Sequence, residues 1–133
     1  MAIDIRYLTP LLEVFSMRRS LAFYRDVLGF EVAADSGGGD DASWVWLRRR
    51  DLNLMLNDQY EPGRVPDAPP PERVRWHKDT CIYFGCPDTD AAYLYLKSKG
   101  VKCDPPTIAP YGMKQLYLLD PDGYNICFQW PAE

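Results

Sequence analysis

The sequence predicts an α+β fold in which a module of order β-α-β-β-β occurs twice. Two stretches, residues 7–57 and 79–130, show the same succession of strand, helix and hairpin patterns. The helix pattern in each stretch ends at a glycine, Gly29 or Gly100, which tolerates the left-handed backbone at a helix C-terminus. The second stretch also contains Asp-Pro-Asp-Gly at residues 120–123, a strong turn sequence. These three observations together indicate a tandem repeat.

The first module begins with a strand pattern at residues 8–15 and continues into a helix with Ser16 as its N-cap. The apolar positions of this helix recur at helical spacing and are Met17, Leu21, Tyr24 and Leu28. A short strand at residues 30–33 and a hairpin at residues 43–57 complete the module. Residues 35–41 are rich in Gly and Asp, which predicts a mobile loop.

The second module repeats this order, with strands at residues 80–86 and 101–103 and a last hairpin at residues 113–130. Its helix has Asp88 or Asp90 as N-cap and a stripe of Ala91, Leu94, Tyr95 and Ser98. A Pro-rich segment between the modules lacks the backbone N–H groups that pair strands in a sheet. We therefore predict an extended connector there. We therefore predict one domain over residues 1–133, with module one at 5–58, the connector at 59–76 and module two at 77–131.

Charge and hydropathy disfavour nucleic acids and membranes as partners. The net charge of −4 and the pI of about 5.0 do not favour phosphate backbones, and Arg48, Arg49 and Arg50 fit a solvated hairpin tip. No apolar run approaches the ~20 residues that a membrane span needs. The N-terminus has no apolar signal segment, so we expect a cytoplasmic protein whose four cysteines are small buried hydrophobes.

Two segments resemble signatures of one known superfamily. Residues 20–30, SLAFYRDVLGF, resemble the S-x-x-F-Y-x-x-x-L-G-F helix of the glyoxalase, bleomycin-resistance and extradiol-dioxygenase superfamily, also called vicinal oxygen chelate. Residues 120–126, DPDGYNI, resemble its closing hairpin, and Tyr111-Gly112 matches the glycine that introduces that hairpin. The resemblance implies sheets that curl around an open cleft, with helices on the convex side, and a homodimer. A strictly monomeric sedimentation profile would count against the dimer.

Enzymes of this superfamily hold a divalent metal in the cleft, and the resemblance assigns its four ligand positions to Thr9, Met55, Cys81 and Cys127. Hard divalent ions prefer oxygen and imidazole ligands, and the neighbouring residues offer none at these strands. The one histidine, His77, is expected at the surface in a loop. We therefore expect no metal of the usual kind and no cofactor. Cys81 and Cys127 could instead bind a soft ion or form a redox pair.

Strand alternation predicts which side chains line a small-molecule site. If the four ligand positions face the cleft, the same faces carry alternate residues of each strand. A four-residue turn at residues 120–123 would place Lys114, Leu116 and Leu118 inward, and we favour the Trp44–Trp46 side of its strand. The predicted ligand-binding residues are Thr9, Leu11, Glu13, Trp44, Trp46, Met55, Cys81, Tyr83, Lys114, Leu116, Asn125, Cys127 and Gln129.

Three functions compete for this predicted site. The first is a metal-independent binding protein of the bleomycin-resistance type that sequesters an aromatic or amphipathic small molecule. The second is a lyase or isomerase of the glyoxalase type with an atypical or absent metal and Glu13 as general base, where Glu13 could also pair with Lys114. The third is a thiol-based protein that uses Cys81 and Cys127. We favour the first.

Overall fold

The structure, a computed structural model, describes residues 2–133. It divides into two compact units, of which the first extends as far as Ala68 and the second comprises Pro69–Glu133. Each unit contains one four-stranded sheet whose first strand is parallel to its last. The predicted α+β fold of two tandem modules is confirmed.

The first unit has the sheet order β1-β4-β3-β2. Its strands are β1 (Leu11–Val14), β2 (Glu31–Asp35), β3 (Trp44–Arg49) and β4 (Leu52–Asp58). Helix α1 (Met17–Leu21) continues as a π-helical segment, Ala22–Val27, and a short 3-10 turn occupies Gly39–Asp41. The predicted cap is confirmed, since Ser16 Oγ accepts a hydrogen bond of 3.2 Å from Arg19 N. The predicted strand at residues 8–15 is shorter than expected.

The second unit has the sheet order β5-β8-β7-β6. Its strands are β5 (Cys81–Gly85), β6 (Thr107–Ile108), β7 (Met113–Leu119) and β8 (Asn125–Pro131), and its helices are α2 (Pro71–His77) and α3 (Thr89–Ser98). Asp88 caps α3 through a hydrogen bond of 2.9 Å from Ala91 N. None of the helices within residues 2–133 is long and apolar enough to cross a membrane.

Helix α2 was not expected, because it lies in the stretch predicted as an extended connector. Pro71 lies in its first turn, where the missing N–H costs no hydrogen bond. Val74 packs so closely on Gly123 that an added Cβ would come within 2.6 Å of it. His77 is the last residue of α2 and does not lie in a loop. Its ring stacks on the Tyr124 ring, with the two ring centroids 3.9 Å apart. The helix thus packs against the last turn of its own unit.

Each sheet has one face covered by a helix and one open face. In the first sheet the covered side chains are all buried and are Leu12, Val14, Val45, Leu47, Leu54 and Leu56. In the second sheet the buried residues of the covered face include Leu116, Leu118 and Ile126, together with Leu96 from α3. The alternate residues form the open faces, where a ligand can reach them.

Two predictions about the second unit are wrong. Residues 101–103 form no strand, because the chain stays irregular through Pro105 and Pro106 and pairs with β7 only at Thr107 and Ile108. The stripe of α3 is also misplaced, since Leu94 and Tyr95 are exposed while Leu96 is buried. Thr89, Ala92, Tyr93 and Leu96 have the same helical spacing as the predicted stripe, so periodicity alone could not choose between them.

The loop at residues 35–41, predicted to be mobile, is tied to the first helix by two arginines. Arg18 donates two hydrogen bonds of 2.8 Å to Asp41, and Arg25 reaches Asp40 at 2.8 Å and 3.3 Å. The hydrogen bonds from Arg25 lower the pKa of Asp40, and those from Arg18 lower the pKa of Asp41. The loop is therefore anchored at its C-terminal end.

The last hairpin closes through five residues, 120–124, rather than the predicted four. Asp120 Oδ1 accepts hydrogen bonds of 2.9 Å from the backbone N–H groups of Asp122 and Tyr124, which draws Tyr124 into the turn. Leu119 consequently pairs with Asn125, and Tyr117 pairs with Cys127. A shift of one residue moves every side chain of a strand to the other face. The predicted inward placement of Lys114, Leu116 and Leu118 is therefore wrong.

We expect the variant Asp120→Ala to be destabilised by about 2–4 kcal/mol, because two backbone donors in a buried turn lose their acceptor. Urea unfolding followed by tryptophan fluorescence measures this change. The variant Asp120→Asn retains an acceptor oxygen, so its free energy of unfolding should fall by less than half as much. An Asp120→Ala protein within about 0.5 kcal/mol of the parent would show that the turn does not depend on this side chain.

Candidate functional site

The open face of the first sheet carries two tryptophans. Strand pairing sets Trp46 beside Met55 and Leu11, and sets Trp44 in the next row with Asn57 and Glu13. The Trp pair thus lies on the face favoured from the sequence, because Val45 and Leu47 turn into the core. Thr9 lies before β1 and belongs to no strand of the sheet.

Trp46 is held in one orientation. Its Nε1–H donates a hydrogen bond of 2.9 Å to Asn53 Oδ1, and the Arg48 guanidinium lies 5.3 Å from the centre of the ring. A ring fixed in this way loses little conformational entropy when a ligand stacks on it. The hairpin therefore provides a preorganised aromatic surface.

Acidic side chains lie at one end of this sheet, with Glu13 in a row of the open face and Asp58 in a row of the covered face. Burial raises the pKa of Asp58 above its usual range, and the charge of Glu13 raises it further. Asp58 also lines a cavity of about 220 Å³ whose other residues are Ser16, Met17, Arg18, Asp41, Tyr60, Pro62, Gly63 and Val65. The sequence did not indicate this cavity, because it depends on how residues 60–65 fold back toward the start of α1.

The open face of the second sheet is built around Cys127. This buried residue on β8 pairs with Tyr83 on β5 and with Tyr117 on β7. The two tyrosine rings meet edge to face, with their hydroxyl oxygens 3.1 Å apart. Tyr117 was missed by the sequence prediction, because it reaches this face only through the five-residue turn.

Both cysteines at this centre are neutral thiols. Burial raises the pKa of Cys81 and of Cys127, and hydrogen bonds from Tyr83 and Tyr117 only partly oppose it. Cys81 pairs with Asn125, one row away from Cys127, and neither forms a disulfide. A thiolate is the form that acts as nucleophile or metal ligand, so this setting disfavours both roles.

The usual metal of the superfamily does not fit these positions. Cys81 and Cys127 offer soft sulfur atoms, Met55 is a thioether and Thr9 offers a single hydroxyl, whereas hard divalent ions prefer oxygen and imidazole ligands. Within residues 2–133, no three His, Cys, Asp or Glu side chains cluster so that they could hold a metal ion. No step of a reaction is therefore assigned to a metal.

Glutamines extend the second open face toward the start of β7. Gln115 Nε2 donates hydrogen bonds of 2.9 Å to Tyr111 Oη and to Gln129 Oε1. Asn125 Nδ2, at the opposite end, donates to Lys78 O at 2.7 Å. The sequence indicated Asn125 and Gln129, but the shift in register was needed to reveal Gln115.

Lys114 and Leu116 lie on the covered face, contrary to the sequence prediction. The Lys114 ammonium is 2.5 Å from Asp90 Oδ2 on α3, and Leu116 is buried beneath the same helix face. Lys114 is thus paired with Asp90 within its own unit.

A groove of about 750 Å³ follows the edge of β7. Its lining residues are Lys97, Gly100, Val101, Lys102, Cys103, Asp104, Tyr117, Leu118 and Leu119. The groove exists because residues 101–103 do not form the predicted strand and β6 pairs only with Gln115 and Lys114. Tyr117 belongs both to this groove and to the tyrosine pair, so the two regions are continuous.

Comparisons with known proteins agree with the fold. The family model for the glyoxalase/bleomycin resistance protein/dioxygenase superfamily matches residues 7–128. The uncharacterized protein YaeR of Escherichia coli (strain K12) is 34% identical over 109 residues, which are 78% of this chain and 79% of YaeR.

Two solved structures extend the comparison. TnmS3, an antibiotic binding protein from Streptomyces sp. CB03234, is 26% identical with a TM-score of 0.66, and the match covers 99% of each chain. A bleomycin resistance determinant encoded on the transposon Tn5 is 24% identical with a TM-score of 0.66, over 96% of this chain and 98% of its own. With a family model that matches nearly the whole sequence, the chain belongs to the glyoxalase/bleomycin resistance protein/dioxygenase superfamily.

Proposed function

We propose that this protein binds an aromatic or amphipathic small molecule without a metal and sequesters it, in the manner of the bleomycin-resistance branch. The observation that carries the proposal is that both open faces present aromatic rings fixed by hydrogen bonds beside a few polar groups. Trp46 is held by Asn53, and Tyr83 and Tyr117 hold each other. Apolar surface with a few well-placed polar groups is typical of ligand sites.

Several observations favour binding over chemistry. The residues at the usual metal positions are poor ligands for a hard ion, and the two thiols are kept protonated by burial. An antibiotic binding protein and a bleomycin resistance determinant are both similar to this chain over nearly its full length. The homodimer predicted from the resemblance belongs to the same proposal.

The affinity would come mainly from buried aromatic surface. Each ring contact contributes roughly 0.5–1.5 kcal/mol beyond the area that it buries, which itself contributes about 25 cal/mol per Å². Asn53 and Arg48 keep the Trp46 ring in place before the ligand arrives, so little of this gain is lost to ordering. Gln129 and Asn125 would orient the ligand through hydrogen bonds.

We expect tag-free protein stripped with a chelator to bind compounds from an aromatic and amphipathic library. A ligand at roughly a hundred times its Kd adds about 2.7 kcal/mol of stability, which raises Tm by several degrees. Thermal shift and tryptophan quenching measure this, with elemental analysis of the same sample. Added Zn, Ni, Mn or Fe should change neither result.

A matched pair of variants locates the binding surface. Trp46→Ala should weaken binding of the library hits roughly tenfold, whereas Trp76→Ala should not, because Trp76 is exposed on α2. Stoichiometric Zn, Ni, Mn or Fe, with turnover of dicarbonyl–glutathione adducts or catechols, would instead support an enzyme and contradict the proposal.

Cysteine labelling tests the thiol-based alternative. Because burial raises the pKa of Cys127 and its side chain is inaccessible, iodoacetamide at pH 8 should modify it more slowly than Cys103 in the folded protein. Mass spectrometry of timed samples gives the four rates. Faster labelling of Cys81 and Cys127 than of Cys86 and Cys103 would restore the thiol-based function.

A further inference from the structure

We infer that the Tyr83–Tyr117 hydroxyl pair is the subsite that receives a carbonyl oxygen of an uncharged aromatic ligand, as in an aryl ketone. This inference rests on the proposed function and names the class of ligand. The pair lies at the centre of the second open face, and about half of each tyrosine side chain is exposed, at 50% for Tyr83 and 43% for Tyr117. Both hydroxyls are therefore within reach of a ligand.

The count of hydrogen atoms in the pair leaves one donor for a ligand. Two hydroxyls 3.1 Å apart share one hydrogen bond, in which one O–H donates to the oxygen of the other. The second hydrogen has only sulfur beside it, on Cys127 or Cys81, and sulfur is a weak acceptor. A carbonyl oxygen is a stronger acceptor, so it would displace the thiol at little cost.

The hydrogen bond between the Tyr117 and Tyr83 hydroxyls, reinforced by burial and by neighbouring Cys127, raises the pKa of Tyr117 well above its usual range. Tyr117 therefore keeps its proton at physiological pH and acts as a donor. It does not become a phenolate that would repel an oxygen ligand. Tyr117 thus offers a ligand a neutral hydroxyl near neutral pH.

The surroundings also favour an uncharged acceptor. Among the described residues that strand pairing sets on this face, none is charged, since Lys114 points to the covered side. Gln129 uses its oxygen to accept from Gln115, which leaves its amide N–H groups as further donors. A carboxylate would find no counter-charge among these residues, whereas a carbonyl oxygen would meet the hydroxyl hydrogen of the tyrosine pair and the Gln129 N–H groups.

The groove beside Tyr117 provides room for the body of such a ligand. Its volume of about 750 Å³ is in the range of small-molecule sites, and its lining combines apolar Val101 and Leu119 with the charged side chains of Lys97, Lys102 and Asp104. A planar ring system lying there would direct its carbonyl oxygen toward the tyrosine pair. The pair then acts as an orientation-determining contact, and the groove supplies buried area.

The test compares fluorenone with fluorene, which share one ring framework and differ in the carbonyl oxygen. We expect the protein to bind fluorenone roughly three- to tenfold more tightly than fluorene, as measured by tryptophan quenching and calorimetry. The double variant Tyr83→Phe with Tyr117→Phe should bind both compounds equally. Tyr95→Phe, which changes an exposed tyrosine on α3, should retain the preference.

Infrared spectroscopy distinguishes a direct hydrogen bond to the ligand from a purely structural role of the two tyrosines. The carbonyl stretching band of bound fluorenone should lie at lower wavenumber in the parent protein than in the double variant, because an O–H donor weakens the C=O bond. Equal affinity for the two probes in the parent protein, a preference or band position unchanged in the double variant, or binding of neither probe would each overturn the inference. If library compounds still bind, the proposed function stands without the inferred carbonyl subsite.

Discussion

The two hydrogen bonds that Asp120 accepts in the last turn decide which side chains of β7 a ligand can meet. They draw Tyr124 out of the strand, so that Tyr117 rather than Leu116 or Leu118 lies beside Cys127. Because strand residues alternate between faces, this one choice moves Gln115 and Tyr117 to the open side together. The charged Lys114 is removed to the covered side by the same shift, where Asp90 neutralises it.

Under the proposed function, the open faces that result hold a molecule rather than transform it. Their aromatic rings are fixed by hydrogen bonds, and their buried thiols remain protonated. The resemblance to the superfamily assigns metal-ligand positions to these strands, and thiols beside tyrosine hydroxyls lie at two of the positions so assigned. A hydrogen-bond donor at the centre of the second face can take over the task of orienting a ligand oxygen, although not that of activating it.

Sequence patterns predicted the repeat and the helix ends at Gly29 and Gly100, because each depends on local periodicity or on glycine's backbone freedom. Alternation also placed Trp44 and Trp46 on one side of their strand, but it did not decide which side is open. Sequence patterns failed where a turn longer by one residue changes which side chains share a face of the sheet. Asp-Pro-Asp-Gly predicts a turn but does not state how many residues it contains, and the acceptor role of the Asp120 side chain is visible only in three dimensions. The groove beside β7 was hidden for a similar reason, since a strand at residues 101–103 would have filled it.

The most direct measurement is a two-dimensional NMR titration of metal-stripped protein with the tightest library compound, with side-chain amide and indole resonances assigned. Metal-independent binding predicts shifts of the Gln115 and Gln129 side-chain amides for a ligand on the second open face, or of the Trp46 indole for a ligand on the first. The indole of Trp76 and the resonances of α3 should stay in place. Shifts confined to Trp76 or α3, or shifts that require an added divalent metal, would contradict the proposed site.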